Sequence, residues 1–189
     1  YCIKQLKNIK NVDTKTISKE GHFETVFIEF RILPHCETII KNCVNKLNEK
    51  WSHTVVCCND NYELFKQMCN RINSNIKLIK LERSNMTYND YNNLLLSVDF
   101  WNMLIGEKIL IYQSDSLIFK SNIDDFLDCD FIGAPFNKRG QVILAHEQVG
   151  NGGLSLRSKS IMIDVLNNKQ SYETKYSDTA RKHQINTKL

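Results

Sequence analysis

The chain has 189 residues, of which 42% are hydrophobic and 24% are charged, and its formal net charge is +4. These values are typical of one globular domain, which at this length buries roughly 70% of its extended surface on folding. The main basic stretches, residues 4–19 and 175–188, are interleaved with polar residues and contain no ladder of aromatic residues. No apolar run approaches the roughly 20 residues of a membrane span. We therefore expect neither nucleic acid as a partner nor a membrane span.

Cysteine usage indicates the compartment. The seven cysteines are an odd number, none forms a CxxC pair, and Cys57 and Cys58 lie in an apolar run. Free thiols in such runs behave as small hydrophobic side chains. We expect a reducing compartment, namely the cytoplasm, or a virion or the host cytoplasm if the chain is viral. The sequence begins with Tyr1 rather than Met, which also fits a fragment of a longer chain.

Short β-branched or apolar runs alternate along the chain with segments whose apolar residues recur three and four positions apart. The runs are typical of buried strands, and the segments are typical of amphipathic helices. Residues 1–23 are polar and weakly periodic, so we expect an N-terminal arm before a domain that starts at Glu24. In chain order, we predict strands at residues 25–30, 53–58, 76–81, 107–112, 130–134 and 153–157, and helices at residues 36–47, 65–72, 88–104, 122–127 and 158–166.

Strands that alternate with helices form βαβ units, in which the strands run parallel. The predicted fold class is therefore α/β, with a mostly parallel central sheet and helices on both faces. Ligands of such sheets bind at the carboxyl ends of the strands, so polar residues that follow strands are candidate site residues. The predicted domain spans residues 24–170. Residues 171–189 form a C-terminal segment, which belongs to an incomplete domain if the chain is a fragment.

The first candidate site is Gln113–Ser116, directly after the strongest predicted strand. A carboxylate on a short turn at a strand's carboxyl end is placed to bind a divalent cation that also holds a diphosphate, because Mg²⁺ and Mn²⁺ prefer hard oxygen ligands. A turn in which Asp115 only accepts a backbone N–H explains the same residues. The pattern alone favours this second interpretation.

The second candidate is the segment Gly150–Arg157, whose glycine-rich start, Gly150–Gly153, holds three of the seven glycines and is followed by an apolar strand. Glycine permits positive φ angles and close approach of the backbone to a ligand. Such a loop would place the Asn151 amide against sugar hydroxyls, whereas a glycine-rich hairpin or bulge is about equally compatible with the pattern. No GxGxxG or Walker motif supports a dinucleotide site or a P-loop.

The third candidate, Glu29–Arg31, has two charged residues at the end of the first predicted strand. Arg31 is placed to contact a base or a phosphate there. The solvated start of a loop explains these residues equally well.

Together and in this order, these segments resemble a GT-A type glycosyltransferase, the nucleotide-sugar-dependent fold with a short DxD-like motif after a central strand. The sequence is also similar to a poorly characterised family of glycosyltransferases from microbes, fungi and large DNA viruses. The similarity spans about residues 24–166 and is carried by Glu29–Arg31, Pro34–His35, Trp51, Phe100–Trp101, Glu107–Ser116, Phe126–Leu127, Asp130–Pro135 and Val149–Arg157.

The resemblance implies a role for each candidate residue. Asp115, the last residue of the DxD-like triplet, would bind a Mn²⁺ or Mg²⁺ ion that bridges the donor diphosphate. The transferred sugar and the acceptor would face Asn151, Gly152 and Gly153. The donor nucleotide and its diphosphate would lie against Glu29, Arg31, Gln113, Ser114, Asp115 and Ser116.

The implied activity is that of a hexosyltransferase, which moves a sugar from a nucleotide-sugar donor, expected to be a UDP-sugar, to an acceptor hydroxyl. Whether the acceptor is a glycan, a protein or a small molecule is open. A divalent ion stabilises the charge that grows on the leaving diphosphate, and an inverting enzyme also needs a carboxylate base. Relatives tend to have a Glu-Asp pair downstream of the glycine-rich segment, which residues 172–178 lack. Glu147 is therefore the one candidate base that we name.

Two alternatives stay open. Gln113 occupies the first position of the DxD-like triplet, which removes one anionic ligand. This departure and the missing Glu-Asp pair fit a non-catalytic nucleotide-sugar or glycan-binding module of the same fold. A nucleotidyltransferase of related architecture would use a nucleoside triphosphate, but it usually has a glycine-rich, basic loop after the first strand, and residues 31–34 form no such loop.

Overall fold

The computed structural model describes residues 16–134 and 151–168 of the chain. No helix within these ranges is both long and apolar enough to cross a bilayer. The strands are β1 (Phe23–Ile28), β2 (Trp51–Cys58), β3 (Lys77–Leu81), β4 (Lys108–Tyr112), β5 (Phe131–Ala134) and β6 (Asn151–Ser158). The α-helices are α1 (Cys36–Lys46), α2 (Tyr62–Ile72), α3 (Tyr88–Leu95), α4 (Val98–Asn102) and α5 (Lys159–Asn167), and short 3₁₀ helices span Asn59–Asn61 and Ile123–Phe126.

The described strands form one sheet in the order β3-β2-β1-β4-β6-β5. Strands β3, β2, β1 and β4 run parallel, whereas β6 is antiparallel to both of its neighbours. The chain proceeds from β1 to β2 and β3 on one side and then returns to β4 on the other side of β1. The strand order therefore reverses between β1 and β4, and open α/β sheets bind ligands in the crevice at such a reversal.

The sheet is buried on both faces, because successive side chains of a strand point to opposite sides. In β4, Leu110 and Tyr112 pack into the core that α1 and α2 cover, while Ile109 and Ile111 pack into the core beneath α4 and α5. Neither side of such a strand faces water. This is why β4 and the second halves of β1 and β2 are nearly continuous apolar runs in the sequence.

The predicted α/β class is confirmed, and each predicted strand is present with its ends within two residues of those expected. The single predicted helix over residues 88–104 is wrong, because it divides into α3 and α4. Ser97 is extended and precedes α4, and the buried Trp101 donates from Nε1 to the Leu95 carbonyl at 2.9 Å. The bend at Leu96 and Ser97 lets Trp101 enter the core with its N–H satisfied.

The glycine-rich segment differs from the expected loop. Its described part opens β6 at Asn151, and the pairing with β5 shifts there, since Gly133 pairs with Ser155 and Ala134 with Asn151. More residues of β6 than of β5 lie between these two pairs. The segment is therefore a bulged part of a strand, which is one of the alternatives that its glycine content allows.

The ends of the predicted domain are described in part. Strand β1 begins at Phe23, ahead of the expected start at Glu24. Ile17, expected within the arm, is 4% exposed and packs into the core. Residues 1–15 of the predicted arm and the predicted C-terminal segment, residues 171–189, lie outside the described residues.

Glu24 fixes the chain that enters β4 against β1. Its side chain is fully buried, and Oε2 accepts hydrogen bonds from the backbone N–H groups of Ile105 and Gly106 at 2.7 and 2.8 Å. Thr54 on β2 donates its hydroxyl to Oε1. A Cβ on Gly106 would lie 2.6 Å from the Cβ of Glu24, so this close approach requires glycine. One carboxyl group thus joins three neighbouring parts of the sheet.

We expect Glu24→Ala to destabilise the fold by about 3 kcal/mol, because two backbone N–H groups and the Thr54 hydroxyl lose their acceptor. Denaturant unfolding followed by circular dichroism measures the change. Glu63→Ala is the matched control, since Glu63 is 71% exposed on α2, and it should change stability by less than about 0.5 kcal/mol. Equal stability of the two variants would contradict the role given to Glu24.

Candidate functional site

Glu29 and Arg31 form a pair where the chain leaves β1. Glu29 is 4% exposed, and its Oε1 accepts hydrogen bonds from the backbone N–H groups of Phe30 and Arg31 at 3.1 and 3.0 Å. Arg31 also donates to this carboxylate from Nε and Nη2, at 2.8 and 2.9 Å. The Arg31 side chain remains 65% exposed. The buried acid thus orients a solvent-facing cation at the carboxyl end of β1.

These contacts set the charges of the pair. Burial raises the pKa of Glu29, but hydrogen bonds from Arg31 and Ser114 and the positive charge of Arg31 together outweigh it, so the pKa lies below its ordinary value of 4.5. The same pairing raises the pKa of Arg31. At neutral pH, Glu29 is therefore a carboxylate and Arg31 a cation.

Asn61 braces the same segment from the end of β2. It is 1% exposed, and its Nδ2 donates to the Glu29 and Arg31 carbonyls at 3.0 and 3.4 Å, while its Oδ1 accepts from the Cys58 N–H at 2.9 Å. The two carbonyls lie 32 and 30 residues away in sequence. A buried amide that joins two strand ends in this way holds the exit of β1 in one conformation.

Gln113–Ser116 forms a tight turn after β4, since the Ser116 N–H donates to the Gln113 carbonyl at 3.1 Å. Ser114 is 5% exposed and accepts from Arg31 Nη2 at 3.2 Å, which joins this turn to β1. Asp115 is exposed, and Ser116 Oγ lies 3.4 Å from its Oδ1. Its negative charge contributes to raising the pKa of Arg31. The turn thus brings an exposed carboxylate close to the Glu29–Arg31 pair.

The donor set at this turn can be compared with the needs of a divalent ion. No group of three or more His, Cys, Asp or Glu side chains suited to a metal lies within residues 16–134 and 151–168. One exposed carboxylate matches an ion that is held by one or two acidic side chains together with substrate phosphates and water, as Mg²⁺ often is. Asp115 therefore fits a metal that binds together with a diphosphate.

Arg157 lies on β6, on the far side of β4 from β1. It is 8% exposed, its Nε donates to Ser155 Oγ at 2.9 Å, and its guanidinium carbon lies 5.9 Å from the ring centre of Trp101 and 5.2 Å from that of Phe131. A Cβ on Gly152 would approach Arg157 Nη2 to 2.7 Å. Glycine at position 152 thus leaves room for the guanidinium.

The ends of β1, β4 and β6 and the first turns of α3 line a cavity of about 620 Å³. Cavities of about 300 to 1,000 Å³ are typical of small-molecule sites. The apolar and aromatic part of its lining is Ile28, Phe30, Met86, Tyr88, Tyr91 and Leu95, and the polar and glycine part is Glu29, Arg31, Thr87, Asn92, Gln113, Gly152, Gly153 and Arg157.

The cavity brings together many of the predicted site residues. Ser114 is buried against Arg31, and Asp115 and Ser116 lie on the adjoining turn. Glu147, the predicted base, lies outside the described residues, as does the side chain of Asn151. The predicted residues that line the cavity are Glu29, Arg31, Gln113, Gly152 and Gly153.

The sequence assigns no site role to Asn61, Tyr91 or Arg157, although Arg157 ends the second candidate segment. No sequence pattern identifies Asn61, because a buried asparagine that hydrogen-bonds two strand ends and an exposed asparagine in a turn have the same sequence context. Tyr91 belongs to the apolar stripe of a predicted helix, which indicates core packing. Arg157 has a weak signal, a charge that ends the run Leu154–Leu156 in a predicted buried strand.

Solved structures with a similar fold include a 4-diphosphocytidyl-2C-methyl-D-erythritol synthase from Anaerococcus prevotii, with a TM-score of 0.53 and 9% identity over 85% of this chain and 77% of that one. The glycosyltransferase GlyE of Streptococcus pneumoniae has a TM-score of 0.46 and 12% identity, over 87% of this chain and 40% of its own length. A mannosyltransferase of Pyrobaculum calidifontis, solved with GDP-Man and Mn²⁺, has a TM-score of 0.40 and 13% identity, over 65% of this chain and 36% of its own.

This chain therefore spans well under half the length of either glycosyltransferase. At these identities the likeness concerns the fold alone, and the architecture is the mostly parallel α/β sheet predicted from the sequence. Among proteins with curated functions, none matches this sequence significantly.

The chain belongs to the family described as Protein of unknown function (DUF5672), whose model matches residues 75–187, more than half of the chain. That stretch includes the Gln113–Ser116 turn and β6, whereas Glu29 and Arg31 precede it. The family description assigns no activity, so the resemblance to a glycosyltransferase family stays a prediction.

We expect Glu29→Gln to lower stability by about 1–2 kcal/mol at neutral pH, because the amide loses the charge-assisted pair with Arg31. The folded pKa of Glu29 lies below its ordinary value of 4.5, so its stabilising contribution is complete above that value and is lost as the pH falls through the folded pKa. Denaturant unfolding of wild type and variant from about pH 7 to about pH 3 measures the difference.

Glu63→Gln is the control, because Glu63 is 71% exposed. It should differ from the wild type by less than about 0.5 kcal/mol at each pH. If the difference between wild type and Glu29→Gln keeps its size down to the lowest pH, the ion pair is not its source.

Proposed function

We propose that this member of the family is a glycosyltransferase domain that moves a sugar, expected to come from a UDP-sugar, to an acceptor hydroxyl. The observation that carries the proposal is the cavity at the reversal of strand order between β1 and β4. There an oriented, exposed arginine lines the cavity, and the adjoining turn, which Ser114 joins to this arginine, carries an exposed carboxylate whose charge acts on it. Such a pair of groups suits a diphosphate accompanied by a divalent ion.

Arg31 supplies the positive charge for the donor in this proposal. Its Nε donates to Glu29, and its Nη2 donates to both Glu29 and Ser114, which leaves Nη1 for a phosphate oxygen or a base. Because Glu29 and Ser114 hold the side chain in place before the donor binds, little side-chain entropy is lost on binding. Gln113, on the same wall of the cavity, offers an amide to the ribose.

Asp115 would hold a Mn²⁺ or Mg²⁺ ion, which when bound offsets the negative charge that develops on the leaving diphosphate. Arg31 contributes to the same stabilisation from the β1 side. The transferred sugar would lie against the cavity wall that Gly152 and Gly153 form. Asn151 is proposed to contact its hydroxyls, and Glu147 is proposed as the base that deprotonates the acceptor.

Thermal unfolding with UDP-, GDP- and CMP-sugars, each with and without Mn²⁺, tests donor binding. We expect a UDP-sugar with Mn²⁺ to stabilise the fold by about 2.7 kcal/mol at a concentration of 100 times its Kd. Asp115→Asn should lose the part of this gain that depends on Mn²⁺. Asp128→Asn, which removes an exposed carboxylate outside the cavity lining, is the matched control and should retain it.

Stabilisation by no nucleotide sugar, or stabilisation that Asp115→Asn leaves unchanged, would contradict the proposed donor site. A transfer assay with the donor that binds then separates catalysis from binding. The second candidate function is a non-catalytic binding module, which is favoured by the presence of a single exposed carboxylate at the turn. This candidate predicts that the donor binds without sugar transfer. Stabilisation by nucleoside triphosphates in preference to every nucleotide sugar would indicate a nucleotidyltransferase.

A further inference from the structure

The cavity has a second cationic wall that the proposed donor site does not use. Arg157 is 8% exposed and lines the cavity, and no carboxylate within residues 16–134 and 151–168 forms an ion pair with it. Burial lowers the pKa of its guanidinium. Burying a cation is costly unless an anion or hydrogen bonds compensate for the lost water. The cavity wall therefore carries a positive charge that an anionic ligand would compensate.

The contacts of Arg157 leave part of its guanidinium edge open. Trp101 and Phe131 lie against it with their rings, Nε donates to Ser155 Oγ at 2.9 Å, and Nη2 lies 3.5 Å from the Gly152 carbonyl. Aromatic rings stabilise the cation but accept no strong hydrogen bond. Within the described part of the chain Nη1 makes no hydrogen bond, so this end of the guanidinium has donors for a ligand.

Tyr91 adds a neutral donor to the same wall. Its hydroxyl is buried without a hydrogen bond of normal geometry to any described residue, although Gln113 lies nearby. Burial raises the pKa of Tyr91, and the positive charge of Arg157 opposes this rise, so the two groups are close enough to interact. A buried hydroxyl without a partner is costly. A ligand that accepts hydrogen bonds from both groups would satisfy both.

We propose that Arg157 and Tyr91 form a subsite for the carboxylate of an acidic sugar, such as a uronic acid. A carboxylate brings one negative charge and a planar pair of oxygens, which match the edge of one guanidinium group. A phosphate monoester brings close to two charges, more than one arginine neutralises. The subsite rests on the proposed function, which puts the sugar beside Gly152 and Gly153.

The two cations line the same cavity. Arg31 follows β1 and Arg157 belongs to β6, with β4 between them. The register places Arg157 level with Glu24 rather than with the end of β1, so the two arginines lie at different heights along the strands, yet both line the cavity together with Gly152 and Gly153. A diphosphate at Arg31 and a sugar carboxylate at Arg157 would therefore occupy one cavity, either within one ligand or within a donor and an acceptor bound together.

Two matched ligand pairs test the subsite by calorimetry on the wild-type chain with Mn²⁺. UDP-glucuronate and UDP-glucose test a carboxylate on the donor. Methyl glucuronide and methyl glucoside, each with saturating UDP, test a carboxylate on the acceptor. Each pair differs only in the carboxylate, and we expect the acidic member of one pair to bind at least about tenfold more tightly.

Arg157→Gln should reduce this preference to about twofold or less while UDP still binds, and Tyr91→Phe should reduce it in part. Arg71→Gln is the control, because Arg71 pairs with Glu37 on the outer helices, and it should keep the full preference. Since the wild-type comparison needs no variant, a poorly folded Arg157→Gln protein does not prevent the test.

Equal binding of both members in both pairs, with UDP bound, would overturn the subsite and leave the donor site standing. A carboxylate preference that survives in a folded Arg157→Gln protein would also overturn it. If UDP and every UDP-sugar fail to bind, the expected UDP donor is wrong, and the proposed function fails as well if GDP- and CMP-sugars do not bind either. The methyl glycosides tested alone then decide whether Arg157 binds a carboxylate without a nucleotide.

Discussion

The buried carboxylate of Glu29 determines the geometry of the candidate site. A charge removed from water must be compensated, and Glu29 is compensated by the backbone N–H groups of Phe30 and Arg31 and by the Arg31 guanidinium. The chain can satisfy all of these donors only if it leaves β1 in one conformation. Asn61, after β2, donates a hydrogen bond to the Glu29 carbonyl, and Ser114, after β4, accepts one from Arg31, so both stabilise that conformation. Strand ends that are distant in sequence thus become one surface.

Within residues 16–134 and 151–168, this surface carries charged groups but no closed metal cage. Arg31 is oriented before any ligand binds, and Asp115 is exposed on the turn that Ser114 joins to it. If Asp115 and the diphosphate both coordinate the ion, the ion and the diphosphate each strengthen the binding of the other by the same factor. Arg157 has a different environment, because aromatic rings and a hydroxyl surround it. The two arginines therefore suit different parts of a ligand.

The sequence predicts the sheet well because buried parallel strands leave long apolar runs, and the polar residues after β1 and β4 mark the ligand edge. It fails where distant side chains decide the outcome. The helix over residues 88–104 divides because the Trp101 indole reaches the Leu95 carbonyl, which apolar periodicity does not register. Asn61 and Arg157 are likewise functional candidates only through partners brought close by the fold. Single-sequence patterns contain no information on such contacts.

Hydrogen exchange with and without saturating UDP and Mn²⁺ tests most directly whether a nucleotide diphosphate binds at the reversal of strand order between β1 and β4. The account predicts slower exchange of the backbone amides in residues 29–31, 113–116 and 152–153, with unchanged exchange in α1 and α2. Slower exchange confined to other parts of the described chain would contradict the account. So would unchanged exchange throughout, at a UDP concentration that raises the unfolding temperature.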